Sequence, residues 1–458
     1  MSGAHEEFGR MARKLGLGRR TGRIPATQPP PAAVTCGVPE GGPYPSSAGA
    51  GRRPDRPVAS RALSERTRGA LAESLPEVGA AIGEITRGFY ASLFREHPEL
   101  LNRMFNRGNQ ATGEQQDAIA SALIGFASLL AYRPYIRPED VLNRIAHKHA
   151  SVGVVPGQYK VVERHLLGAM SEVLGSGMSS RVEAAWREVY WIMADTLMAR
   201  EEQLYVSARA EPVPAWRHWR VVRRTEEAHH VRSFWLQPAD GAPPPPFLPG
   251  QYVTVAVELP DGALQLRQYS LTSAPGDSLW RITVRRVQGT SRPPGEVSSF
   301  LHERIGLGDI LAVSPPYGEV VLDDSTSPLL FASYGIGLTP FVSMLRHLVD
   351  TGSPRLVTVV HNDRCVGDHP LRFEVEDCVR TLGGRLLVGY EDRSGCPSGS
   401  YPGPVDLASL TLPHTTRAYL CGPVPFLRAA RLSVIRAGVT PSSLRYEVFG
   451  PDMWQAPS

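Results

Sequence analysis

Between Ser60 and about Ser207 the apolar residues recur at three- and four-residue spacing. LSERTRGALAESL and ITRGFYASLF come first, then QDAIASALIGFASLLAY, RPEDVLNRIAHKHASV, QYKVVERHLLGAMSEVL and RVEAAWREVYWIMADTLMAREEQLY. That spacing lines up one face of a helix. No run of strict alternation interrupts it, so residues 59–207 are expected to form an all-α domain around one core. ARAEPVPAW, with its prolines, reads as a linker. Beyond it the period becomes two. WRVVRR, HHVRSFWLQ, QYVTVAVEL and SLWRITVRRV alternate as half-buried strands do, separated by turns such as APPPPFLPG and PDG. Residues 215–324 are therefore predicted to be a small antiparallel barrel or sandwich. Across residues 325–458 short apolar runs (PLLFASYG, RLVTVVHN, GRLLVGY, AYLCG, LRYEVF) alternate with helical segments such as TPFVSMLRHLV and FLRAARLSVIRAG. This is the pattern of an α/β domain with a parallel sheet and βαβ crossovers.

Composition sharpens the division. The chain of 458 residues has room for about three domains at roughly 150 residues each. Its first 58 residues are different in kind, with 10 Gly, 9 Pro and nine basic against four acidic groups. Too few apolar side chains are present there to offset the entropy of ordering the backbone, and residues 1–58 are expected to be a disordered extension. The remainder carries 40 basic and 41 acidic groups. Without a basic excess to track phosphates, a nucleic-acid partner is excluded. Ala122 to Ala131 is far shorter than the roughly 18 apolar residues of a membrane span. Arg19 and Arg20 are followed by Gly, Thr, Pro and Gln rather than by the apolar segment of an export signal. The five cysteines form no C-x-x-C pair, which fits a reducing cytoplasm.

Candidate chemistry lies in six short motifs. SYGIGLTP follows a predicted buried strand and opens a helix, so Gly335 and Gly337 allow the backbone to turn tightly and approach a pyrophosphate. By itself this is an ordinary strand-to-helix turn, because the third glycine of a Rossmann fingerprint is missing. Read in order with PGQY, RQYS, GEVS, CGP and EVFG, however, it resembles the ferredoxin-reductase-like flavoproteins. The resemblance implies that Pro249, Gly250, Gln251 and Tyr252, with Arg267, Gln268, Tyr269 and Ser270, hold FAD: a guanidinium for the pyrophosphate, a phenol ring on the isoalloxazine, a hydroxyl near its redox nitrogen. It implies that Gly295, Val297 and Ser298 cradle the FAD phosphates. It assigns Gly335, Gly337, Thr339, Pro340, Cys421, Gly422 and Pro423 to the NAD(P)H site, and Phe449 to the flavin face where nicotinamide arrives. Two positions depart from the family pattern, Tyr334 in place of a small residue and Pro425 in place of a common glycine. His361, Asn362, Asp363 and Arg364 mix both charges after the second strand and leave NADH and NADPH equally open.

The helical segment carries GFYASLFREHPEL, MFNRGNQ and IAHKHASVGVVPGQY. These resemble the globin domain of the flavohaemoglobins, and the likeness runs on through the reductase motifs over about 400 residues. An axial haem ligand must be a neutral imidazole. His147 and His149 both qualify by type, but they point about 200° apart on a helix, and the family pattern selects His149 as the metal ligand. The resemblance further implies Phe105 packed on the porphyrin and Lys148 at the haem–flavin boundary. Tyr159 and Glu201 become partners of His149, and Tyr90 and Gln115 donors to bound oxygen, with Ile119 where relatives often carry Leu. The implied fold is a globin, an antiparallel β-barrel FAD domain and an α/β NAD(P)H domain, and the implied cofactors are haem b, FAD and NAD(P)H. The implied activity is that of a cytoplasmic nitric oxide dioxygenase taking NO and O2. The alternatives are a haem-based O2-binding or sensor protein with an associated flavin reductase, and an NAD(P)H reductase of other acceptors.

Overall fold

A computed structural model describes residues 63–103, 105–133, 138–208, 216–289 and 293–449. The extension expected over residues 1–58 and the side chain of Gln115 lie outside the described residues.

The helical half begins with α1 (Glu65–Glu96), capped by the Ser64 hydroxyl, which accepts from Thr67 N–H at 3.1 Å. Such a cap satisfies one of the helix's orphan amides. Two short helices, α2 (Pro98–Arg103) and α3 (Arg107–Thr112), turn the chain through MFNRGNQ into α4 (Glu114–Tyr132). Helices α5 (Pro138–Val152) and α6 (Pro156–Leu174) are joined at Gly153, whose φ of 79° permits the reversal. Pro156 opens α6, and the Gln158 side chain accepts from Val155 N–H at 3.0 Å. The long α7 (Ser180–Ser207) packs back over α1, α5 and α6. Phe89, Phe126, Trp186 and Tyr190 are fully buried between these helices, each contributing about 1.5–3 kcal/mol of burial. Trp186 spends its N–H on the Ser74 hydroxyl at 3.0 Å.

The middle of the chain forms an antiparallel sheet of β1 (Arg217–Ala228), β2 (Val231–Pro238), β3 (Tyr252–Glu258), β4 (Leu264–Ser270), β5 (Trp280–Arg285) and β6 (Ile310–Val313), in the order β4-β3-β6-β1-β2-β5. A bridge between Leu271, just after β4, and Ile282 of β5 links the two edge strands, consistent with the expected barrel. Trp219 and Trp280 stack at 4.0 Å in its core, where Phe247 meets Trp280 edge-on. GEVSSFLH is not a bare turn: Gly295 is the N-cap residue of helix α8 (Glu296–Arg304).

The last portion is a parallel sheet of β7 (Leu329–Tyr334), β8 (Val357–Asp363), β9 (Arg385–Tyr390), the two-residue β10 (Tyr401–Pro402), β11 (Arg417–Gly422) and β12 (Leu444–Val448). Helices α9 (Thr339–Asp350), α10 (Arg372–Thr381) and α11 (Val424–Arg436) flank it. The order β10-β9-β8-β7-β11-β12 means the chain leaves β7 in one direction and resumes on its other side at β11. That reversal is a topological switch point, where open α/β sheets bind ligands.

The helices and the barrel share a core, since Tyr317 and Tyr252 pack into the helical cluster. Arg107 bonds Asp261 and Glu296, both at 2.7 Å. Arg144, on α5, bonds Glu319 at 3.0 Å, donates to the Tyr446 carbonyl of β12 at 2.7 Å and lies 4.3 Å from the Tyr446 ring centroid. Among the described residues no helix is long and apolar enough to cross a membrane, and Cys365, Cys378, Cys396 and Cys421 are free thiols.

Candidate functional site

Reversal of the chain at Gly153 brings α5 against α6, and α7 closes over both. Their facing side chains make a triangle: His149 Nδ1 lies 2.9 Å from Glu201 Oε1 and 3.0 Å from the Tyr159 hydroxyl, which donates to the same carboxylate oxygen at 2.6 Å. Glu201 is 2% exposed, so this charge is stabilised by hydrogen bonds rather than by water. Burial, reinforced by Glu201, pushes the Tyr159 phenol far above its ordinary range and keeps it a proton donor. A carboxylate can only accept, so the imidazole proton belongs on Nδ1. The imidazole is a third accessible, and Nε2 is the ring nitrogen left for a metal. These donors fit a haem iron.

The other histidine has a different task. His147 is buried and its Nδ1 accepts from Gly318 N–H at 3.0 Å, across the junction with the barrel. Burial, with help from Arg200, lowers its pKa to about 4. Half-buried Lys148 lies between the two on α5.

On α1, Tyr90 is 2% exposed, stacks on Phe94 at 5.4 Å and meets Phe105 edge-on at 5.8 Å. Phe105 and Ile119 pack against the same helical core. These contacts surround the Tyr90 phenol with aromatic rings, a setting in which a hydrogen bond gains strength.

In the middle of β4, Arg267 reaches back into the helical half and donates to Asn106 Oδ1 at 2.7 Å, and to its neighbour's carbonyl, Leu266 O, at 2.8 Å. Among the described residues its hydrogen bonds go only to amide oxygens. A largely buried cation without a carboxylate partner fits a pyrophosphate. Gln268 donates to the Thr254 hydroxyl at 3.3 Å, Tyr269 is half-buried against the barrel core, and Ser270 pairs with Tyr252 across β3 and β4. Gln251, just before β3, accepts from Leu248 N–H at 2.8 Å. Ser298 holds the start of α8 by accepting from Val287 N–H and donating to the Gly295 carbonyl, both at 3.1 Å, while Val297 is buried beneath it. The Asn106 contact belongs to MFNRGNQ, whose spacing gave no sign of a partner in the flavin half.

The dinucleotide motifs converge on the switch point. Gly335 adopts a φ of 56°, and a Cβ there would come within 2.8 Å of Arg285. A side chain on Gly337 would collide with the Cys421 carbonyl, and one on Gly422 would meet the Phe426 ring at 2.8 Å. Thr339 and Pro340 open α9, and Pro423 is the N-cap residue of α11. Two helix N-termini thus stand beside a closely packed glycine turn, which suits a pyrophosphate. Pro425 falls in the first turn of α11, where proline loses no helical hydrogen bond. Tyr334 meets Phe426 at 5.9 Å between centroids and donates to Glu391 Oε1 at 2.7 Å, spanning from β7 to the residue after β9. Phe449 follows β12 and is 42% exposed.

Comparison with known proteins agrees with this layout. The globin family matches residues 87–197, and the oxidoreductase NAD-binding domain family matches residues 331–432. A flavohemoprotein of Rhizobium meliloti is 38% identical over 409 residues, covering 86% of this chain and 99% of that protein. One from Bordetella parapertussis is 40% identical over 396 residues, covering 83% and 96%. The crystal structure of a Malassezia yamatoensis flavohemoglobin with bound FAD and heme superposes with a TM-score of 0.77 at 30% identity, covering 85% of this chain and all (100%) of that one.

Proposed function

The chain belongs to the flavohaemoglobin family, NAD(P)H-dependent oxidoreductases pairing haem with FAD, and from that premise we propose that it is a nitric oxide dioxygenase, oxidising NO with O2 to nitrate. The observation that carries the proposal is the triangle of His149, Glu201 and Tyr159. When bound, FAD supplies the conversion of a hydride into single electrons, and haem iron supplies the site where O2 is held and electrons are accepted.

The residues do the rest. Glu201 accepts the Nδ1 proton of His149, fixes the ring's tautomer and makes the imidazole more electron-rich toward a metal at Nε2. Tyr159 holds the carboxylate in place from the other side. Oxygen storage has no need of so electron-rich a ligand, whereas activation of oxygen does. Tyr90, fixed by Phe94 and Phe105, offers a hydroxyl to a polar diatomic in an apolar surround, and Gln115 is the second donor in this reading. Arg267, Gln268, Tyr269 and Ser270 bind and orient the flavin. The glycine surfaces at Gly335, Gly337 and Gly422 admit the nicotinamide nucleotide, and Phe449 covers the flavin until it arrives. The domain limits of this reading are 59–207, 215–324 and 325–458, and its compartment is the cytoplasm, where the four described cysteines remain thiols.

Purified protein is expected to show a Soret band with flavin absorbance and to consume NO in the presence of O2 and NAD(P)H, with nitrate as product. His149→Ala should abolish the Soret band and NO consumption while NAD(P)H-to-ferricyanide activity continues. NO consumption that survives this substitution overturns the proposal, and a Soret band without NO consumption in the wild type leaves the O2-binding reading in its place.

A further inference from the structure

We propose that Glu96, His97 and His165 form a binding site for a divalent first-row metal ion of the imidazole-preferring class, with Zn2+ as the test ion, separate from the haem and nucleotide sites. Glu96 is the last residue of α1, His97 is its C-cap residue, and His165 lies on α6. One ligand atom from each falls within 4.8 Å of the others.

Hydrogen bonding sets which nitrogen of each ring carries the proton. His165 is 5% exposed, and its Nδ1 lies 3.0 Å from the Ser92 hydroxyl. That hydroxyl already donates to the Phe89 carbonyl at 3.0 Å, so it accepts from His165, and the proton of His165 belongs on Nδ1. His97 Nδ1 faces Glu99 Oε1 at 3.3 Å, and a carboxylate can only accept, so the same tautomer results. Both rings thereby keep a lone pair on Nε2. His97 Nε2 is buried and has no partner among the described residues, and His165 Nε2 lies 3.8 Å from Glu96 Oε2. Histidine ligands to metals show this arrangement, with the far nitrogen donating to an oxygen that fixes tautomer and orientation. Two imidazoles and one carboxylate are three of the four positions of a tetrahedral zinc site, with solvent as the fourth. The carbonyl end of α1 favours a cation at the same place.

Arg164 marks that preference. Its guanidinium donates to Glu96 Oε2 at 2.7 Å and lies 3.2 Å from His165 Nε2, so a cation is already drawn to these two ligands. The arginine side chain is 63% exposed, and an exposed pair of this kind contributes little. An incoming metal ion displaces it at small cost and ties the α1–α2 corner to α6.

The test is calorimetric titration of the full-length holoprotein with Zn2+ alone, with Co2+ absorption as a second readout. One saturable equivalent is expected in addition to any weaker binding. His97→Ala and His165→Ala should each remove it, and Ser92→Ala should weaken it about 10- to 100-fold, as loss of a supporting oxygen does. Arg164→Gln should tighten it. An intact Soret band and unchanged NAD(P)H-to-ferricyanide rate show that each variant has folded, and Ser92→Ala with Arg164→Gln decide the matter if His165→Ala does not. Equal binding by wild type and the His97→Ala, His165→Ala double variant overturns the proposal. So does the absence of saturable binding in both wild type and Arg164→Gln.

Discussion

At His149 the molecule is built from side chains, and at Gly337 from their absence. The first place closes three polar groups from α5, α6 and α7 into contacts of 2.6 to 3.0 Å, each atom satisfied by the next. The second brings the loop after β7 against the end of β11 so closely that a single methyl has no room. One region is damaged by removing atoms and the other by adding them. The difference suits what each is proposed to hold: a metal is fixed by directed lone pairs, whereas a pyrophosphate is met by backbone amides.

Substitutions that exchange these vulnerabilities sharpen the contrast. Beyond the complete loss expected of His149→Ala, Glu201→Gln should lower NO turnover about 10- to 100-fold while the Soret band and ferricyanide reduction persist; equal turnover by variant and wild type would deny the carboxylate its part. Gly337→Ala adds one methyl against the Cys421 carbonyl and should cost about 1–3 kcal/mol. It should depress flavin reduction by NAD(P)H, leave the Soret band unchanged and show as a lower unfolding temperature. A smaller effect is expected at Tyr334, whose hydroxyl ties β7 to Glu391 at 2.7 Å across the nucleotide face. If nucleotide entry breaks that bond, Tyr334→Phe spares about 1 kcal/mol and lowers the KM for NAD(P)H about fivefold, and an unmoved KM refutes the idea.

Acid acts on stability rather than on turnover. His369 is 3% exposed and lies 2.7 Å from the Tyr390 hydroxyl. Burial, with His361 and Arg372 adding to it, holds its pKa well below the ordinary histidine value. The unfolded chain takes up a proton near pH 6.5 and the folded one does not, so the stability of the parallel-sheet region is lost as pH falls below that value. The slope approaches about 1.4 kcal/mol per pH unit for one such group. Thermal unfolding followed from pH 7 to 5 should show it, and His369→Gln should flatten it.

Most of the architecture could be read along the chain because its periods are clean. The long helices, β1 to β3, β5 and the βαβ alternation after residue 325 all follow from spacing of three to four or of two. What escaped is what spacing does not encode. β10 has only two residues, too few for any period, and Gly295 reads as a turn residue although it opens a nine-residue helix. SYGIGLTP and CGP come together at one switch point, between β7 and β11, since strand order follows from right-handed crossovers. The fate of His147 was not legible. Its partner is a backbone N–H 171 positions away, and a backbone amide leaves no signature in a sequence. The same holds for Asn106 and Arg267, which are 161 positions apart.

Arg144 joins the helix that carries His149 to the strand that leads into Phe449, through a carbonyl and the face of one ring. A swing of the carboxy-terminal lobe away from the helices has to unlatch that guanidinium or carry α5 along. The lobe is therefore stapled at the very spot where a hinge would do most to widen the gap between its strand ends and the imidazole.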